Sequence, residues 1–98
     1  HRLGTEIRAE IESWNLPVVQ GVRGLGLLLG IGLNPEMVDA PEGKTIASVV
    51  VESLRQEGLL SVPAGPETVR LLPPLNVSEE EVQQALAIIR RVLKTYVK

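Results

Sequence analysis

Apolar residues recur at three- and four-residue steps from the start of the chain, at Leu3, Ile7, Ile11 and Trp14, with Arg2, Glu6, Arg8, Glu10 and Glu12 between them. That spacing predicts an amphipathic helix with one buried stripe. No capping residue stands ahead of Arg2, so this helix reads as one cut from something longer. Pro17 stops it, because the residue before a proline is pushed out of the α region, and Asn15 is placed to supply a left-handed exit. The period then shortens to two. Val18 to Arg23 reads as a short extended piece and Leu25 to Leu33 as a longer strand. Leu25, Leu27, Leu29, Ile31 and Leu33 form its apolar face, opposite Gly26, Leu28, Gly30 and Gly32. Glycines on alternate positions predict that this second face lies close to other backbone.

Asn34 to Gly43, with Pro35 and Pro41, reads as a loop. Thr45 to Glu57 returns to the helical period, with Ile46, Val49, Val50 and Leu54 on one side and Gly58 at the left-handed stop. Leu59 to Val62 and Thr68 to Leu72 read as two short strands joined by Pro63-Ala64-Gly65-Pro66, with Pro73-Pro74 ending the second. Ser78 and Glu81 form an S-x-x-E capping box flanked by Val77 and Val82, the two positions of a hydrophobic staple. Val82, Leu86, Ile89, Leu93 and Tyr96 continue down one face of that last helix, and Arg90, Arg91, Lys94 and Lys98 load its C-terminal half as the helix dipole prefers. The order is α-β-β-α-β-β-α. Residues 1–98 are expected to form one α+β domain, mainly an antiparallel sheet with helices packed on one face.

Composition narrows the functional classes. The 98 residues carry 44% hydrophobic and 22% charged side chains, an ordinary globular balance. Ten Lys+Arg against twelve Asp+Glu leave a net charge of −2, and the aromatics are Trp14 and Tyr96 alone. Neither the charge nor the aromatic content suits nucleic acid. Cysteine is absent and His1 is the single histidine, so thiol chemistry, disulfides, a His/Cys metal centre and a Ser-His-Asp triad are not expected. The lack of cysteine fits a reducing cytoplasm. The glycine-broken stretch Leu25 to Leu33 is too short to cross a bilayer, so no membrane partner is expected.

Three short motifs reduce to structure. Gly24-Leu25-Gly26 would need a glycine at position 29 to make a dinucleotide fingerprint, and Leu29 is there. Gly43-Lys44-Thr45 would need one at position 38 to make a phosphate loop, where Val38 stands, so Thr45 reads as a helix cap. Glu79-Glu80-Glu81 reads as the acidic first turn of a helix, not as paired catalytic carboxylates. Arg70 stands out. It lies in Val69-Arg70-Leu71-Leu72-Pro73-Pro74, and strand alternation points it away from the face of Val69 and Leu71. A planar guanidinium on a rigid strand suits bidentate capture of a carboxylate. The plain alternative is an edge-strand arginine in water or in a structural ion pair. Arg23, between Val22 and Gly24, is a weaker candidate.

The strings Val22-Arg23-Gly24-Leu25-Gly26-Leu27, Gly58-Leu59-Leu60, Ala64-Gly65 and Val69 to Glu81, in that order, resemble the C-terminal small domain of the class III aminotransferases. These are fold-type-I enzymes dependent on pyridoxal 5'-phosphate, and the acetylornithine branch is the most similar. The run Arg70-Leu71-Leu72-Pro73-Pro74-Leu75-Asn76 is the most specific part. The resemblance implies transfer of an amino group between N-acetylornithine and 2-oxoglutarate, in arginine biosynthesis, by a cytoplasmic homodimer. It implies that Arg70 helps hold the substrate's α-carboxylate. It places the cofactor-bearing lysine and the other cofactor-binding residues in a large domain upstream. No catalytic, cofactor-binding or metal-binding residue is therefore expected in this chain. Taken alone, the segment is expected to bind no cofactor and to be inactive, and its uncovered interface to favour self-association. The competing reading is a free-standing α+β binding or regulatory module that holds a small carboxylate at Arg70.

Overall fold

The computed structural model describes residues 2–25, 28–72 and 78–96, with side chains left aside at 2–5, 25 and 28. In chain order the elements are α1 (Arg2–Ser13), β1 (Val19–Leu25), β2 (Leu28–Leu33), a 3-10 turn (Pro35–Met37), α2 (Ile46–Gln56), β3 (Ser61–Pro63), β4 (Thr68–Leu71) and α3 (Glu79–Leu93). The α+β class and the expected order of helices and strands hold. The four strands form one antiparallel sheet in the order β1-β2-β4-β3.

The expected span of the second strand fails. Leu25 to Leu33 is not a single strand: Leu25 pairs with Leu28 and Gly24 with Leu29, so the chain reverses between them and β1 and β2 form a hairpin. Alternation alone does not register the reversal, because Leu25, Leu27, Leu29, Ile31 and Leu33 form one odd-numbered run across it, while the buried positions change from even in β1 (Val22) to odd in β2 (Leu29, Ile31, Leu33). The backbone signal is Gly24, whose φ of 128° lies where a side chain is disfavoured. The proposed crowding over the glycine face also has a different origin. A Cβ built on Gly30 would stand 3.1 Å from Thr68 Cγ2, and one on Gly32 would stand 3.5 Å from the Gly21 carbonyl oxygen. Both neighbours belong to adjoining strands of the same sheet.

The helix boundaries follow local chemistry. Asn15, at φ 53°, and Gly58, at φ 95°, make the left-handed exits from α1 and α2. At the start of α2, the Ser48 N–H donates to Thr45 Oγ1 and the Ala47 N–H donates to the Pro66 carbonyl. At the start of α3, the Glu81 N–H donates to Ser78 Oγ while the Ser78 N–H donates to Glu81 Oε1, which completes the capping box. Val77 and the double proline lie outside the described residues.

α3 packs against α1 and α2, which themselves pack against the sheet, and buried residues of all three helices and the strands form one core. From the strands, Val22, Leu29, Ile31, Leu33 and Val69 enter the core, each 2% exposed or less; Ile11, Val50, Leu54, Ile89 and Leu93 meet them from the helices. Val38, just after the 3-10 turn, is also buried and ties the long loop down. Polar contacts lock the helical layer from outside. Arg91 donates two hydrogen bonds to Glu57 Oε1, at 2.9 and 2.6 Å, and the Ser53 and Tyr96 hydroxyls stand 2.6 Å apart. Arg90 lies over the Trp14 ring, 6.0 Å from its centroid. No described helix is long and apolar enough to cross a membrane.

Candidate functional site

Residues directly opposite in an antiparallel sheet share a face, and alternation sends their neighbours to the other. Val22, Ile31 and Val69 make one row of the helix-covered face. One position along each strand, Arg23, Gly30, Arg70 and Val62 make a row of the opposite face. Arg23, Arg70 and Val62 are exposed and Gly30 is half-buried. The next row of that face holds Gly21, Gly32 and Thr68. Where the helix-covered face carries branched aliphatic groups, these two rows carry glycines, a hydroxyl, two guanidiniums and, on β3, the exposed Val62.

Arg70 points away from Val69, as alternation requires, but the strand that carries it is not an edge. β4 lies between β2 and β3, so the Arg70 backbone is flanked by paired strands on both sides. The edge-strand expectation fails because strand order is set by long-range pairing, which a local run of residues does not encode. The structural ion pair is also missing among the described residues. Arg8 pairs with Glu12, Arg55 with Glu52, Arg91 with Glu57, and Arg90 covers Trp14. Arg23 and Arg70 have no such partner there. What remains of the plain alternative is an arginine in water, on an inner strand instead of an edge, and its donor fork on a fixed backbone has the shape to meet a planar anion.

The remaining candidates fall elsewhere. Thr45 caps α2, and the hydrogen bonds of Ala47 and Ser48 already occupy donors that an anion would use. Glu79, Glu80 and Glu81 form the first turn of α3. Among the described residues no group of three or more His, Asp or Glu side chains gathers to hold a metal. An apolar cleft of about 220 Å³ lies between α3 and the end of β4, lined by Leu29, Leu59, Leu71, Leu86 and Ile89. It does not include Arg70, and its lining offers no cation.

The sequence profile of the family "Aminotransferase class-III" matches residues 1–93. The chain belongs to that family. Among its relatives, the acetylornithine aminotransferase of Bacillus cereus is 39% identical over 84 residues, 86% of this chain and 19% of that protein. The acetylornithine aminotransferase of Thermosynechococcus vestitus is 46% identical over 76 residues, 78% of this chain and 17% of that protein. The crystal structure of acetylornithine aminotransferase from Elizabethkingia anophelis superposes with a TM-score of 0.81 at 32% identity, covering 97% of this chain and 24% of that one. Ornithine delta-aminotransferase of Plasmodium falciparum superposes at 0.83 with 26% identity, covering 98% of this chain and 24% of that one. The chain thus spans about a fifth of the length of the curated relatives it matches.

Proposed function

We propose that this chain serves as the small domain of a pyridoxal-phosphate-dependent aminotransferase acting between N-acetylornithine and 2-oxoglutarate, and that Arg70 holds the substrate's α-carboxylate. The observation that carries the reading is the Arg70 guanidinium, without an ion-pair partner among the described residues, exposed on an inner strand of the sheet. Family membership supplies the reaction class, and the named relatives supply the substrate.

Pyridoxal phosphate would supply the electron sink of the reaction. Among the described residues neither lysine fits as its covalent anchor. Lys44 lies in the loop before α2 and Lys94 caps the end of α3, and neither belongs to the strand rows around Arg70. In this reading the cofactor is held by residues outside the chain. Arg70 binds and orients: two parallel N–H donors fix the plane of a carboxylate, and the paired strands keep that plane constant from one turnover to the next. Leu60, Val62 and Leu72, which are 65%, 37% and 48% exposed, support a homodimeric or interdomain setting in which this apolar surface is covered.

Arg70→Ala in the longest native protein that carries this segment tests the reading. The expected result is a fall of roughly 100-fold in kcat/KM for the amino donor, equivalent to about 2.7 kcal/mol of lost transition-state binding. Saturation and turnover equal to the parent's would overturn it.

A further inference from the structure

We propose that Arg23 is a second anion-binding arm of the site at Arg70, so that the acid group of the substrate is held by a guanidinium pair reaching across Gly30. This rests on the assignment of Arg70 above and adds a residue that the sequence reading ranked below it.

Register carries the argument. Arg23 pairs with Gly30, and Gly30 pairs with Arg70, so both arginines share one row and one face with a single strand between them. Two strand spacings put their Cα atoms about 9–10 Å apart, within convergent reach of two long side chains. The residue between them has no side chain of its own, and the Thr68 methyl borders the place one would take, 3.1 Å from a Cβ built there. Four other arginines of the chain each have an acidic or aromatic partner among the described residues, and these two have none. Like charges repel, yet the fold sets this pair side by side. The neighbouring row brings Gly21, Gly32 and Thr68, with no carboxylate to neutralise them. A face of this kind presents positive potential from two guanidiniums flanking Gly30 and the Thr68 side chain, which draws and holds a carboxylate. That carboxylate is either the substrate's or an acidic side chain from elsewhere in the longer protein; the inference commits to the substrate's.

Arg23→Ala, Arg23→Lys and Arg70→Ala, each in the longest native protein that carries the segment, separate the outcomes. With substrate as the occupant, Arg23→Ala raises KM for the acid substrates about 5- to 10-fold while kcat and melting temperature hold. Arg23→Lys recovers most of the loss, and the gap between the parent and Arg23→Ala narrows as salt rises. An unchanged KM in Arg23→Ala beside an impaired Arg70→Ala overturns the role of Arg23 and leaves Arg70 standing. An unchanged Arg70→Ala overturns the earlier assignment itself, and this one with it. A lowered melting temperature with unchanged KM in Arg23→Ala assigns the arginine to a protein carboxylate and also overturns the proposal.

Discussion

The two faces of the sheet are built from the same strands and obey opposite rules. On one face, Val22, Ile31 and Val69 lie shoulder to shoulder beneath three helices, each at 1% exposure or less. On the other, the adjacent residues Arg23, Gly30 and Arg70 leave charge and bare backbone toward solvent. Packing satisfies the first face within the chain, whereas the second carries donors that the described residues do not engage. Core packing and exposed charge are therefore divided between alternate residues of a single strand, which lets either be altered with little effect on the other.

The sharpest way to break that contrast is to compare neighbours. Ile31→Ala removes fully buried volume and is expected to cost 2–5 kcal/mol in urea denaturation of the chain, on the order of other large-to-alanine core changes. Ser78→Ala, which opens the capping box of α3, is expected to cost about 1 kcal/mol in the same assay. Arg91→Ala severs the bond from α3 to Glu57; both partners are largely exposed, so a loss of 1 kcal/mol or less is expected, shrinking in added salt. Smaller still is the pH dependence arising at Glu52, where the hydrogen bond from Arg55 holds the carboxyl below its ordinary value. A depressed carboxyl stabilises the fold above its unfolded pKa, and that contribution fades as pH falls through the lowered one. Glu52→Gln should flatten this part of the acid limb of a stability-versus-pH curve. At the bottom of the scale, Arg70→Ala is expected to leave the chain's stability within about 0.5 kcal/mol of the parent, one residue away from the buried Val69.

Much of the first face was legible in the sequence, because helices declare themselves locally. The stripe Val82, Leu86, Ile89 and Leu93, the Ser78–Glu81 box and the exits at Asn15 and Gly58 each depend on residues within one or two turns. The hairpin at Leu25 and Leu28 was not legible, since the odd-numbered run from Leu25 to Leu33 hides the change of buried parity from Val22 to Leu29. Arg70 could be singled out from its own strand by alternation and the stiff segment after it. Its inner position could not, nor could its alignment with Arg23. Those follow from pairing between β2 and β4, which meet only after α2 and β3 have intervened. Sequence pattern tells which way a side chain points; it does not tell what stands beside it.

β3 is three residues long and ends in Pro63, at an outer margin of the sheet. A proline offers no amide hydrogen, and so short a stretch gives an incoming chain little backbone to zip onto. Lateral growth of the sheet is therefore discouraged on that flank and left to the longer β1 on the other. A neighbouring polypeptide that meets this domain as an added ribbon has one flank to choose, and that flank is the strand that carries Arg23.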